Sequence, residues 1–230
     1  MTRLRAATLA AIVGISTVLL AGCDAAGPEA PSAAPSESPT PSETAAPADP
    51  AKPTLGELIL TTEGLGELQF GSAPPSGNPA VNLVSYDANA CAAEGLPGLW
   101  LSTYPLVDEG FGAMAPFAIA VEGGGVSRID INSEQIFTDL GLHIGSSLDE
   151  VLGVYPGGPD QVVNHADVSD VYVIKGTRGQ LQFEVAVDRI SGYWDPAVID
   201  TVVFLSAIEI TAQPFGVAAT GNVIGVCNLG

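Results

Sequence analysis

Gly141-Leu142-His143-Ile144-Gly145-Ser146-Ser147-Leu148-Asp149-Glu150-Val151-Leu152, running on through Tyr155-Pro156, is the segment on which the reading of the fold turns. Ser147, with Glu150 at the third position after it, forms a capping box. Each side chain satisfies a backbone N–H that the first helical turn leaves unpaired. Leu148, Val151, Leu152 and Tyr155 fall at i, i+3, i+4 and i+7, one apolar face of a helix from about Ser147 to Tyr155. Pro156-Gly157-Gly158 ends it. At an offset of 74 residues upstream, Leu68-Gln69-Phe70-Gly71-Ser72 repeats the pattern of Leu142 to Ser146: apolar, polar, apolar, then glycine and serine. Its continuation, Ser72-Ala73-Pro74-Pro75-Ser76-Gly77-Asn78-Pro79, holds too many breakers to keep a helix.

Away from these two motifs the period is two. Phe117 to Glu122 and Val126 to Asn132 flank Gly123-Gly124-Gly125 as a hairpin, with Ile129 and Ile131 on one face. Val171 to Ile174 and Leu181 to Val187 flank Lys175 to Gly179 as another, and there Leu181, Phe183, Val185 and Val187 alternate with polar residues and alanine. Val198 to Ile210 supplies at least one more strand, and Asn222 to Val226 reads as a last one. Glycine turns, strands of about 6–8 residues and one or two helices describe an α+β fold with a mainly antiparallel sheet. The expectation is two tandem repeats of a short helix plus β-meander: residues 54–134, with its helix degenerate, and residues 135–230.

A Gly-Leu-x-x-Gly-Ser helix entry, a short amphipathic helix and a β-meander, given twice, resemble the tandem repeat of the β-lactamase inhibitor proteins. They also resemble the module of the small lipoprotein in the outer-membrane assembly machinery. Gly141 to Pro156 is the stronger match and Gly64 to Gly71 the weaker. The resemblance implies a binding protein, and by analogy an inhibitor of a secreted or wall-associated enzyme such as a β-lactamase. Motifs of a dozen residues speak of fold more than of function, and no contact residue is carried over.

At the N-terminus, Arg3 and Arg5 precede an apolar run from Ala6 to about Leu20, too short for the roughly 20 residues of a membrane-spanning helix. The run closes on Leu20-Ala21-Gly22-Cys23, which resembles the lipobox of bacterial lipoproteins. That resemblance implies a cleaved signal peptide at 1–22, a diacylated Cys23 at the mature N-terminus, and a domain held outside the cytoplasm on the cell membrane by lipid alone. From Asp24 to Pro53 follow eight prolines among Ala, Ser, Thr and Glu. This composition makes the 23–53 stretch a disordered tether rather than part of a core.

The chain carries a formal charge of −19, and from Thr54 onward four basic residues (Arg128, Lys175, Arg178, Arg189) face 21 acids. Such a surface repels phosphate backbones, which argues against a nucleic-acid partner. With Cys23 assigned to lipid, Cys91 and Cys227 remain, an even pair in an oxidising compartment and so an expected disulfide.

No chemistry-bearing motif stands out. There is no Gly-x-Ser-x-Gly elbow, no HExxH, no phosphate-cradling loop, no dinucleotide fingerprint and no cysteine–histidine spacing for a metal. His143 takes the place of Gln69 in the other motif, an ordinary polar site, and His165 sits in the polar run Asn164 to Asp170. No catalytic residue, cofactor or metal is therefore expected. Two loops do present large apolar residues where loops are normally polar: Phe111 between glycines, and Tyr193-Trp194 before Asp195-Pro196. These three are the candidate interface residues. The favoured function is a non-enzymatic, lipid-anchored interaction module with a protein partner in the envelope. An enzyme inhibitor and an uncharacterised envelope enzyme are the alternatives.

Overall fold

Apolar residues at every second position, broken by glycine turns, make the regular structure of the described residues mostly strand. The computed structural model describes residues 51–78, 80–95, 97–108 and 112–227. A 3-10 turn at Leu55–Glu57, closed by a capping box of Thr54 and Glu57, leads into β1 (Ile59–Thr61), β2 (Gly64–Leu65) and β3 (Leu68–Gln69). Next come β4 (Val84–Asp87), β5 (Leu99–Ser102), β6 (Phe117–Glu122), β7 (Gly125–Ile131) and β8 (Phe137–Thr138). Helix α1 (Leu148–Val154) precedes β9 (Gln161–His165), β10 (Ser169–Lys175), β11 (Gly179–Ala186) and β12 (Val202–Glu209), and the short helix α2 (Val217–Thr220) comes last.

Among the described residues three sheets form. The largest has six antiparallel strands in the order β6-β7-β12-β11-β10-β9. A four-stranded sheet runs β3-β2-β1-β8, with β1 and β8 parallel, and β4 pairs with β5 alone. Phe117, Ile119, Ile129, Ile131, Leu181, Phe183, Leu205 and Ala207 share one face of the large sheet. They pack with Leu58, Leu60, Leu65 and Leu68 around the small sheet and with Val151 of α1. Burying a side chain such as Phe183 contributes about 1.5–3 kcal/mol, and Phe117, Ile129, Ile131, Leu181 and Leu205 are as fully buried on the same face.

The expected pair of α+β repeats does not form. The described chain is mainly β, with two short helices, and the large sheet takes β6 and β7 from before residue 134 and β9 to β12 from after it. The β7–β12 ladder, Arg128↔Ile208 to Leu205↔Ile131, fuses the two halves into one sheet. Contacts gather the described residues into a single unit. The matching motifs misled because Gly-Ser is turn chemistry. Gly71 (φ 73°) and Gly145 (φ 95°) both turn through the left-handed region. Only the second runs into a capping box, whereas Leu68–Gln69 before the first is strand and Leu142 to Ile144 is not.

The two glycine-turn hairpins and the helix form where the pattern put them. Ser147 Oγ accepts from the Glu150 N–H at 3.2 Å, and the Glu150 carboxylate accepts from the Ser147 N–H at 2.7 Å. Leu148 and Tyr155 pack on the core beside buried Val151. Leu152 is instead 39% exposed. On a seven-residue helix lying along the 148–151–155 line, position 152 falls about 100° round from Val151, on the flank. Asn222 to Val226 forms no strand. This stretch belongs to a strap, residues 211–227, that crosses the second face of the large sheet.

Candidate functional site

The second face of the large sheet carries the polar half of the alternation. Gln180, Gln182 and Glu184 project from β11, Ser206 from β12, and Arg128 and Asp130 from β7. Gln182 lies opposite Ser206, and Ser206 opposite Asp130. On an open sheet these residues would face water. Here Gln180, Gln182, Glu184, Ser206 and Asp130 are all buried, because the strap covers them.

Burying such groups is costly unless each is hydrogen-bonded, and the strap's backbone supplies the partners. Gln180 Nε2 donates to the Ala212 carbonyl (3.0 Å), and Gln182 Oε1 accepts from the Phe215 N–H (3.0 Å). The Glu184 carboxylate accepts from the Val217 N–H (2.5 Å), the Ala218 N–H (3.1 Å) and the Ser169 hydroxyl (2.5 Å). Arg128 makes a two-bonded pair with Asp130 (2.8 and 2.6 Å), donates to the Asn222 carbonyl (2.6 Å) and lies 3.8 Å from the centre of the Phe215 ring. Two buried nitrogens, Gln182 Nε2 and His165 Nε2, have no partner among the described residues.

The carboxyl groups of this face titrate high. Burial pushes Asp130 above the ordinary carboxylate range although Arg128, Ser206 and the Ile224 backbone all bond to it. Burial does the same to Glu184, against the pull of Ser169, Val217, Ala218 and His165. At the sheet's other end Arg189 pairs with Asp170 through two bonds (2.8 and 2.5 Å) and holds its carboxyl below the usual range.

Where the β7–β12 ladder stops at Ile131–Leu205, the two strands part, and Val202 bonds instead to Gly145 and Ser146. A cavity of about 440 Å³ sits at this fork. The strap walls it with Val217, Ala218 and Val223, and Tyr193 and Trp194 close it from the loop after β11. Its lining is mostly apolar, with Asn132, Ser206 and Asp130 as the polar exceptions, a make-up typical of small-molecule sites.

Tyr193 and Trp194 are therefore pocket walls, Trp194 half-buried and Tyr193 exposed, and their polar ends are hydrogen-bonded to backbone carbonyls. The Tyr193 hydroxyl donates to the Ala218 carbonyl and Trp194 Nε1 to the Val168 carbonyl, both at 2.6 Å. Their rings meet edge to face at 5.1 Å. Cys91 and Cys227 are joined as a disulfide with Cα atoms 5.4 Å apart, which fastens the end of the strap beside the β4–β5 hairpin. Phe111 and Cys23 lie outside the described residues, as do the signal segment and all of the tether up to residue 50.

His143 bonds through Nδ1 to the Ile144 carbonyl (2.6 Å) and packs edge-on against Phe137, a structural placement. His165 ends β9 and packs beneath Gly216 of the strap. Among the described residues no group of His, Cys, Asp or Glu is placed to hold a metal, and no helix is long and apolar enough to cross a membrane.

The pocket and the polar ladder are the features that the sequence reading missed. One signal was present: Gln180, Gln182 and Glu184 stand on one face of a strand too central to be left wet.

No family model and no curated protein matches this chain. Among solved structures, the uncharacterised protein YfeY from Escherichia coli is similar over 66% of this chain and 99% of its own, at 16% identity and a TM-score of 0.39. A DUF4309 family protein, YjgB from Bacillus subtilis, is similar over 61% of this chain and 72% of its own, at 17% identity and a TM-score of 0.27. At these values neither likeness bears on what the chain does.

Proposed function

We propose that this protein is a non-enzymatic binding module, tethered outside the cytoplasm by a lipid on Cys23, and that it binds through the pocket at the β7–β12 fork. The single observation that supports this is the pocket: about 440 Å³, mainly apolar, and walled by two aromatic side chains whose polar ends are each hydrogen-bonded to a backbone carbonyl. Such walls are held in place before a ligand arrives, so little ordering entropy is lost on binding. The occupant this chemistry favours is a small, uncharged, largely apolar molecule or the apolar end of a larger one. Asn132 and Ser206 set its orientation.

The inhibitor alternative rested on the tandem repeat, and with one continuous sheet in its place that support is gone. The test is titration of the purified protein with N-phenyl-1-naphthylamine, a neutral apolar dye. Saturable binding is expected, and Ala218→Phe, which fills the pocket from the strap side, should abolish it. Binding unchanged in Ala218→Phe would end the pocket reading. For the tether, Cys23→Ser should appear in the medium or keep an uncut signal. Membrane retention with normal processing would count against the lipid.

A further inference from the structure

The contacts between strap and sheet have a distinctive form: side chains of the sheet bond to backbone groups of the strap. Gln180 takes a carbonyl, Gln182 and Glu184 take amides, and Arg128 takes a carbonyl, at Ala212, Phe215, Val217–Ala218 and Asn222 in turn. This is how a protein surface holds a peptide, here one that reaches Gly216 in extended form and then enters a helical turn at Val217, since backbone bonds supply affinity whatever the sequence. Side-chain selectivity is also present. Phe215 lies on the Arg128 guanidinium, and Val217 is 6% exposed. A Cβ at Gly216 would stand 2.7 Å from His165 Cγ, so only glycine fits between them.

The fit is also incomplete. Gln182 is 2% exposed, yet its Nε2 finds no acceptor in the strap, and an orphaned buried donor costs about 1–3 kcal/mol. A segment offering one more carbonyl there would bind better than the chain's own.

We infer that the polar face of the six-stranded sheet is a peptide-binding surface, occupied in this structure by the chain's own residues 212–222. In its open state it takes a partner's segment of the form aromatic–glycine–small aliphatic, extended to the glycine and helical after it. Opening requires release of the strap, which the Cys91–Cys227 bond holds at its far end. A dithiol reductant outside the cytoplasm supplies the release. The S–S bond breaks, two S–H bonds form with two electrons and two protons from the dithiol, and the dithiol becomes a disulfide. This inference does not rest on the pocket reading, which concerns the oxidised protein with the strap in place.

The probe is a fluorescein-labelled peptide of the sequence Gln213 to Ala219, read by anisotropy against the full chain. Reduced protein and Cys227→Ser should bind it at least about tenfold more tightly than oxidised protein. The peptide with alanine at the position of Gly216 should lose at least about tenfold. Hydrogen exchange at Phe215, Val217 and Ala218 should accelerate on reduction while β10 to β12 stay protected.

Equal binding to oxidised protein would overturn the requirement for release, and no binding to folded, reduced protein would overturn the surface itself. A concentration-dependent dimer with exchanged straps would name a second copy as occupant and overturn the partner peptide. Unfolding of both the reduced protein and Cys227→Ser would show the strap to be core, which overturns the proposal as well. Loss of peptide binding with dye binding intact would leave the pocket reading standing.

Discussion

The two faces of the six-stranded sheet are both buried, but by different physics. One closes through area: Phe183, Leu205, Ile131 and their neighbours pack against the small sheet and α1 with nothing directional to satisfy. The other closes through bonds: Glu184, Gln182, Gln180 and Arg128 each need a particular backbone group of the strap, and a covalent link holds the strap's end. The first kind of face tolerates exchange of one apolar residue for another of similar volume. The second tolerates almost no change of chemistry, but its cover is one thin segment whose departure leaves the apolar core untouched. Stability resides on the first face and adjustability on the second.

The comparison breaks most visibly on the apolar side. Phe183→Ala should cost about 3–5 kcal/mol in urea unfolding, since it removes a fully buried ring and leaves a cavity. A loss below 1 kcal/mol would mean that the face is not the main core. Reducing Cys91–Cys227 acts on the other side and should cost about 2–4 kcal/mol, with the native far-ultraviolet circular dichroism kept.

Glu184→Ala should cost about 1–3 kcal/mol, because the amides of Val217 and Ala218 and the Ser169 hydroxyl lose their acceptor. Glu184→Gln sharpens this with a sign. The Glu184 carboxyl titrates above 4.5 in the folded protein, so the folded state takes up its proton first. Its contribution is full below the ordinary carboxylate value and is lost as pH rises through the raised one. Wild type should therefore gain stability relative to Glu184→Gln as pH falls from neutral toward 4.5. A gap that widens in the other direction would show that the hydrogen bonds outweigh burial. The smallest effect belongs to Leu152→Asp: its side chain lies on the flank of α1 and is 39% exposed, and the change should cost about 1 kcal/mol in the same unfolding assay.

What the sequence made legible follows the same division. The hairpins around Gly123 and Gly176, the strand through Phe204, the capped helix after Ser147 and the pairing of the two later cysteines were open to local rules: period, turn residue, cap and parity. The cover of the polar face was not. Gln182 and Phe215 stand 33 positions apart, and no local pattern in Thr211 to Cys227 signals that its backbone will answer side chains on β11. Alternating polar residues therefore carry no sign of what covers them. The repeat failed for a related reason. The Gly-Ser turns at 71 and 145 are alike in dihedral preference, but strand pairing between β7 and β12 is decided by contacts far outside either motif. Tyr193 and Trp194 stand out in the sequence as large apolar residues on a loop. Whether they face outward or wall a cavity depended on Ala218 and Val168, which supply their acceptors from distant parts of the chain.

The parallel pairing of β1 with β8, and the ties of Lys52 to Thr103 and of Tyr104 to the Pro53 carbonyl, set what happens under mechanical load. Tension on residue 51 first meets these two clamps and then the short ladders of β1. Once they yield, the chain can pay out freely only as far as Cys91, about 140 Å of slack at full extension. Beyond that point lies a covalently closed ring from Cys91 to Cys227 that contains the whole large sheet. Under load from residue 51 the protein would thus lengthen by a fixed increment, uncover the apolar face that the small sheet had packed, and then stiffen at the covalent ring.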